Sequence, residues 1–87
     1  MSKINQYNEK GQPHGLWKHY YSQGQLMIKV TYVNGKKHGL WESYYSNNQI
    51  MYKGVYVNGK NHGLWEYYHP NGTIDKQVFY SKYYEQD

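Results

Sequence analysis

His-Gly-Leu-Trp occurs three times in these 87 residues, at His14–Trp17, His38–Trp41 and His62–Trp65, each copy 24 residues after the last. A fixed period this long means that each copy is one supersecondary unit, stacked on its neighbours to make a shared core. The same shift superposes Leu26, Ile50 and Ile74, then Lys29 and Lys53, then Tyr32, Tyr56 and Tyr80. It also lays Val33-Asn34-Gly35-Lys36 on Val57-Asn58-Gly59-Lys60. The ends depart from the pattern, as terminal repeats that face solvent do. We divide the chain, a single domain over 1–87, into a partial repeat at about 1–21, repeats at about 22–45 and 46–69, and a degenerate cap at about 70–87.

Each unit reads as a β-hairpin. Asn34-Gly35 and Asn58-Gly59 are the strongest short hairpin signal, because both residues of a type I′ turn need positive φ. Ser22–Gln25, Ser46–Gln49 and Pro70–Gly72 supply turn formers at the opposite ends. Between them lie runs rich in Tyr, Trp, Val and Ile, which favour strands. Strands are predicted over about 3–8, 15–21, 26–33, 39–45, 50–57, 63–69 and 73–81. The expected fold is all-β: a single curved antiparallel meander built from about three 24-residue hairpin repeats.

A two-residue loop at Asn34-Gly35 sets Trp41 opposite Ile28, and its copy sets Gly54 opposite Gly63. The same register pairs His38 with Thr31 and His62 with Val55. A four-residue loop at 46–49 sets Trp41 opposite Gly54 and Glu42 opposite Lys53. Period-two alternation then sorts the faces. One carries Trp17, Trp41 and Trp65 with Tyr21, Tyr45, Tyr67, Ile28, Val30, Tyr32, Ile50, Tyr52 and Tyr56. The other carries Leu16, Leu40, Leu64, Tyr20, Tyr44 and Tyr68, diluted by Lys18, Lys29, Glu42, Lys53 and Glu66. Trp17, Trp41, Trp65, Ile28 and Tyr52 are the expected core, with Gly39 and Gly63 giving the backbone its curvature. No helix or second sheet is available to cover the tryptophans. Either the sheet curls, the C-terminal segment folds back, or another molecule lies on that face.

Composition narrows the function. With no cysteine, disulfides and thiolate metal sites are excluded, and a reducing compartment suits the chain. No apolar run approaches the roughly 18 residues of a membrane span, and the first residues lack a signal-peptide h-region. A cytoplasmic protein is expected. Thirteen tyrosines and three tryptophans stand beside one phenylalanine, a usage common where one end of a ring is dry and the other wet. All ten basic residues are lysine, so the bidentate arginine fork that reads guanine or clamps phosphate is missing.

The unit from Tyr21 to Tyr45, with its GQL, NGK and GLW elements, and its variant from Tyr45 to His69, resembles the MORN-repeat variant family. The resemblance covers nearly the whole chain. It implies rows of hairpins in one elongated sheet, with a scaffolding or interaction role and no catalytic domain. Small bacterial members described as antitoxin-like would imply binding and blocking of another protein. Lipid binding is the traditional assignment for the wider family.

Triplicate His14, His38 and His62 invite a metal site, but equivalent positions one hairpin apart lie about 9.5 Å from each other. Zinc requires every ligand nitrogen at about 2.0–2.1 Å, so structural histidines are expected, with no metal and no cofactor. Glu42 and Glu66 share that spacing, inside the range of an inverting glycosidase pair of about 6.5–9.5 Å. Repetition alone produces the match, and each Glu has a Lys or Gln partner nearby. Ser22, Ser43, Ser46 and Ser81 lack a His–Asp partner order. No enzyme is expected. Stacked bases on Tyr and Trp would suit single-stranded nucleic acid, which the missing arginine and the interspersed glutamates disfavour. Lys10, Lys36, Lys37 and Lys60, at one edge of the sheet, would each add about 1 kcal/mol at an anionic membrane.

The expected role is a non-enzymatic protein-binding module that inhibits or scaffolds an intracellular protein, in its specific form a phage or mobile-element inhibitor in a host cytoplasm. Lipid-surface or nucleic-acid binding through lysines and aromatics is the alternative. The expected contacts are Tyr20, Tyr44 and Tyr68 on the sheet with Tyr80, Tyr83 and Tyr84 near the end of the chain. Open strand edges or the aromatic face would also admit a homodimer.

Overall fold

The computed structural model describes residues 4–80. Seven strands run β1 Gln6–Tyr7, β2 Pro13–Tyr20, β3 Leu26–Val33, β4 Lys36–Tyr44, β5 Ile50–Val57, β6 Lys60–Tyr68 and β7 Ile74–Tyr80. They form one open antiparallel sheet in sequence order, the meander read from the repeat. Strands β2, β4 and β6 start two or three residues earlier than expected, since Val33–Lys36 and Val57–Lys60 already pair across the Asn-Gly turns. Both turns use the left-handed region: φ is 50° at Asn34 and 87° at Gly35, then 52° at Asn58 and 86° at Gly59.

The register departs from the sequence expectation at the His-Gly-Leu-Trp segments. Between one ladder pair and the next, β3 advances from Tyr32 to Val30 while β4 advances from Lys37 to Trp41. Two extra residues enter β4 there, and Trp41 faces Val30 rather than Ile28, which faces Ser43. The same step recurs at β5–β6: Val55 pairs with His62 as expected, but Lys53 pairs with Glu66. Gly54 therefore lies beneath Trp65 and not opposite Gly63. Gly39 at φ 99° and Gly63 at φ 70° permit these bulges, because L side chains rarely adopt that backbone. A shift of two leaves side-chain alternation intact, so the face assignments survive where the pairings do not.

Trp65 is 0% exposed, Val30 1% and Trp41 7%, although the described residues form no second layer. Tyrosines supply the cover. Tyr52 stacks on Trp41 at 6.0 Å and on Tyr67 at 5.3 Å, and Tyr56 meets Trp41 and Trp65 edge-on at 5.7 and 4.9 Å. Such arrangements add about 0.5–1.5 kcal/mol per pair beyond area burial. Trp17, Ile28, Tyr32 and Tyr80 pack around the same cluster. Lys37 Nζ lies 4.8 Å over Trp41 and 5.0 Å over Tyr56, and Lys76 Nζ lies 5.2 Å over Tyr67.

Hairpins are also locked to one another along both edges. At the Asn-Gly edge, the Asn34 and Gly35 amides donate to His14 Nδ1 at 3.1 Å and the Pro13 carbonyl at 2.9 Å. The Asn58 and Gly59 amides repeat this on His38 Nδ1 at 3.3 Å and the Lys37 carbonyl at 2.7 Å. At the opposite edge, Tyr21 Oη donates to the Tyr44 carbonyl at 2.6 Å and Tyr45 Oη to the Tyr68 carbonyl at 2.7 Å. His14 and His38 are thus turn clamps between hairpins.

Candidate functional site

The face opposite the tryptophans carries the feature that most needs a partner. A row of side chains crosses six strands through successive cross-strand pairs: Lys18, Lys29, Glu42, Lys53, Glu66 and Gln77. Lys29 Nζ approaches Glu42 Oε1 at 4.0 Å and Lys53 Nζ approaches Glu66 Oε1 at 3.9 Å, while Gln77 Nε2 donates to Glu66 Oε2 at 2.8 Å. These are surface pairs, worth about 0–1 kcal/mol each. Lys18 and Lys29 face each other as like charges.

Next to this row runs a second, apolar one. Leu16 pairs with Thr31, Leu40 with Val55 and Leu64 with Phe79. Exposure is 47% at Leu40, 38% at Val55, 48% at Leu64 and 72% at Phe79. Single exposed aliphatics are ordinary, but four exposed apolar side chains on neighbouring strands of one face, rimmed by charge, mark an interaction surface.

Tyr44 and Tyr68 stand on this face with their hydroxyls donating to Glu42 Oε1 at 2.9 Å and Glu66 Oε1 at 3.1 Å. Burial, then the hydrogen bond and charge of Glu42, push the Tyr44 phenol up to about 12. The Tyr68 phenol is raised too, first by desolvation and then by Glu66. Both rings are fixed in place rather than free to swing. Tyr20 is 50% exposed and follows a register shift between His19 and Tyr20, pairing with Leu26 at the end of its ladder.

Tyr80 belongs elsewhere: it meets Trp65 edge-on at 6.5 Å and packs on the core cluster, so it does not join the outer tyrosines. Tyr83 and Tyr84 lie outside the described residues. Lys37 leaves the tip lysines, drawn over Trp41 and Tyr56, while Lys10, Lys36 and Lys60 remain exposed at the Asn-Gly edge. The Nδ1 atoms of His14 and His38 are occupied by backbone amides. A recess of about 590 Å³ opens beside Tyr7, Asn8, Lys10 and Asn34, but its amides bond one another: Asn8 Nδ2 donates to Gln12 Oε1 and Asn34 Oδ1.

Sequence reasoning assigned Leu16, Leu40 and Leu64 to this face but passed over them in favour of tyrosines. Phe79, the single phenylalanine, was readable as their continuation through strict alternation from Tyr80.

No curated protein and no solved structure matches the chain. The model of the MORN repeat variant family matches three times, at residues 13–34, 37–58 and 61–82. Each match spans one hairpin, β2–β3, β4–β5 or β6–β7, so the family's unit is phased on the Ser/Gln turns with the Asn-Gly turns between units. Three matched hairpins over most of its length place this chain in the MORN repeat variant family, whose repeats are commonly associated with binding to membranes or proteins.

Proposed function

We propose that the chain is a non-catalytic protein-docking module that works in the cytoplasm and inhibits or scaffolds the protein it covers. One observation carries this reading: the uncovered stripe Leu40–Val55–Leu64–Phe79, flanked by the alternating charges of Lys29, Glu42, Lys53 and Glu66. Apolar contacts supply association energy, and the adjacent charge pattern supplies selectivity and orientation. The pinned Tyr44 and Tyr68 rings add rigid area at low entropic cost. Glu42 and Glu66 each hold a tyrosine hydroxyl and a lysine, which supports a structural role for them in place of acid–base catalysis.

Capture from the native host with Leu64→Ser, Phe79→Ser and Tyr44→Ala/Tyr68→Ala baits tests the reading. A specific partner lost with these variants supports it; a partner retained by all three rules out this face. The lysine-tipped edge at Lys10, Lys36 and Lys60 carries the alternative of an anionic surface. Binding through that edge would collapse between low and moderate salt, whereas binding through the stripe would persist.

A further inference from the structure

The two rows of the outer face follow one rule along the strand order. Strands β2, β4 and β6 contribute Lys18, Glu42 and Glu66, and strands β3, β5 and β7 contribute Lys29, Lys53 and Gln77. The apolar row follows the same rule, with Leu16, Leu40 and Leu64 on one set and Thr31, Val55 and Phe79 on the other.

A second copy can be laid face to face on the first in two simple ways. A two-fold axis across the strands sets every strand on its own copy, so that Lys18 meets Lys18, Glu42 meets Glu42 and Lys53 meets Lys53. That arrangement repels at five of the six positions in the row. A two-fold axis parallel to the strands, passing between β4 and β5, reverses the row instead. Glu42 then meets Lys53, Lys29 meets Glu66, and Lys18 meets Gln77. In the apolar row Leu40 meets Val55, Leu64 meets Thr31, and Phe79 meets Leu16. Every charge on β3–β6 finds its opposite, and the surplus lysine at β2 meets a neutral amide.

We infer that the occupant of the outer face is a second copy of this chain, related by a two-fold axis parallel to the strands and centred between Glu42 and Lys53. The inference rests on the reading of this face as a protein-docking surface and narrows the partner. Such an interface is isologous, the commonest form of soluble oligomer. The strands of the two sheets run nearly aligned, as in face-to-face sheet packing at about 10 Å. Association energy comes from the apolar row, which includes the 72%-exposed Phe79. The charged row fixes orientation rather than strength, since desolvation offsets much of the attraction between buried ions.

Charge exchange between copies tests this. A positive variant carries Glu42→Lys with Glu66→Lys, and a negative variant carries Lys29→Glu with Lys53→Glu. Each alone sets like charges against like at four facing positions. Together the two restore every pair.

Sedimentation velocity across a dilution series should show wild-type dimer. Each variant alone should associate about 100-fold more weakly or worse, and the equimolar mixture should form a mixed dimer close to wild-type affinity. Far-UV circular dichroism checks the fold of both. Phe79→Ser, at a side chain too exposed to matter for folding, should weaken the wild-type dimer independently at least about tenfold.

A wild-type monomer at every concentration overturns the inference, and so does a dimer indifferent to both charge variants and to Phe79→Ser. A monomer that nevertheless loses a different captured protein on Phe79→Ser overturns the second copy while leaving the docking surface standing.

Discussion

Replacing Gly54 by alanine separates this structure from generic expectation by sign as well as size. Gly54 does not use a positive φ, and at such positions Gly→Ala ordinarily stabilises by about 0.4–1 kcal/mol through the unfolded chain. Here the added Cβ would lie 2.1, 2.2 and 2.5 Å from Trp65 Cδ2, Cε2 and Cγ. Trp65 is 0% exposed and enclosed by Tyr52, Tyr56 and Tyr80, so its ring cannot slide aside cheaply. Its indole N–H would also leave the Val55 carbonyl, now 3.1 Å away. Overpacking costs about 1–3 kcal/mol, and losing a buried tryptophan from its site costs about 3–5 kcal/mol. We expect a loss of about 3 kcal/mol, between those limits. A domain of this size has about 4–13 kcal/mol in total, and each kcal/mol moves Tm by about 4–8 °C, so Tm should fall by about 12–24 °C. Urea unfolding followed by tryptophan fluorescence and circular dichroism measures the change. Coupling can be read from Gly54→Ala in a Trp65→Leu background, where the penalty should shrink to near zero. Gly54→Ala with unchanged or increased stability would refute the placement of Trp65 over this strand.

Further outcomes follow from the same packing. Gly63→Ala meets no atom within 4 Å and should cost only the left-handed strain at φ 70°, about 1–2 kcal/mol by chemical denaturation. Tyr45→Phe removes the hydroxyl that bonds the Tyr68 carbonyl and should cost about 1 kcal/mol in the same assay, a smaller loss contradicting the edge lock between hairpins. In a tyrosine-specific NMR titration, Tyr44 should ionise near pH 12. Because its folded value is raised above the ordinary 10.0, this contribution to stability is complete below pH 10 and fades as pH rises through 12. Glu42→Gln should bring the Tyr44 transition downward.

Most of the fold could be read from the chain because its signals were local and repeated. Asn34-Gly35 and Asn58-Gly59 state their turn type outright, and alternation from Trp17, Trp41 and Trp65 assigns the faces. Pairing within the ladder was harder, since the two-residue bulge at Gly39 and Gly63 depends on backbone conformation that no side-chain pattern announces. Part of the core followed from that missed step: Gly54 faces Trp41 in the expected register, but Val30 reaches Trp41 and Gly54 reaches Trp65 only after the shift. Val30 also shows the alternative to a bare glycine 24 residues on. Its side chain fills the space, and the Trp41 indole N–H is left buried with no partner among the described residues, while Trp17 and Trp65 donate to backbone carbonyls. On the outer face, tyrosines drew attention by number, yet Tyr44 and Tyr68 are tied to glutamates and Tyr80 is tied to the core. Leu40, Leu64 and Phe79 looked too ordinary as isolated residues; their significance appears only when neighbouring strands place them side by side.

The claim that the outer face is where this chain meets a protein is tested most directly by comparing two equally folded baits, Leu64→Ser/Phe79→Ser and Lys10→Ala/Lys36→Ala/Lys60→Ala. Partner retention at moderate salt is then measured against wild type. Loss with the first and retention with the second is the predicted result. Retention with the first and loss with the second would contradict it and move the function to the lysine edge.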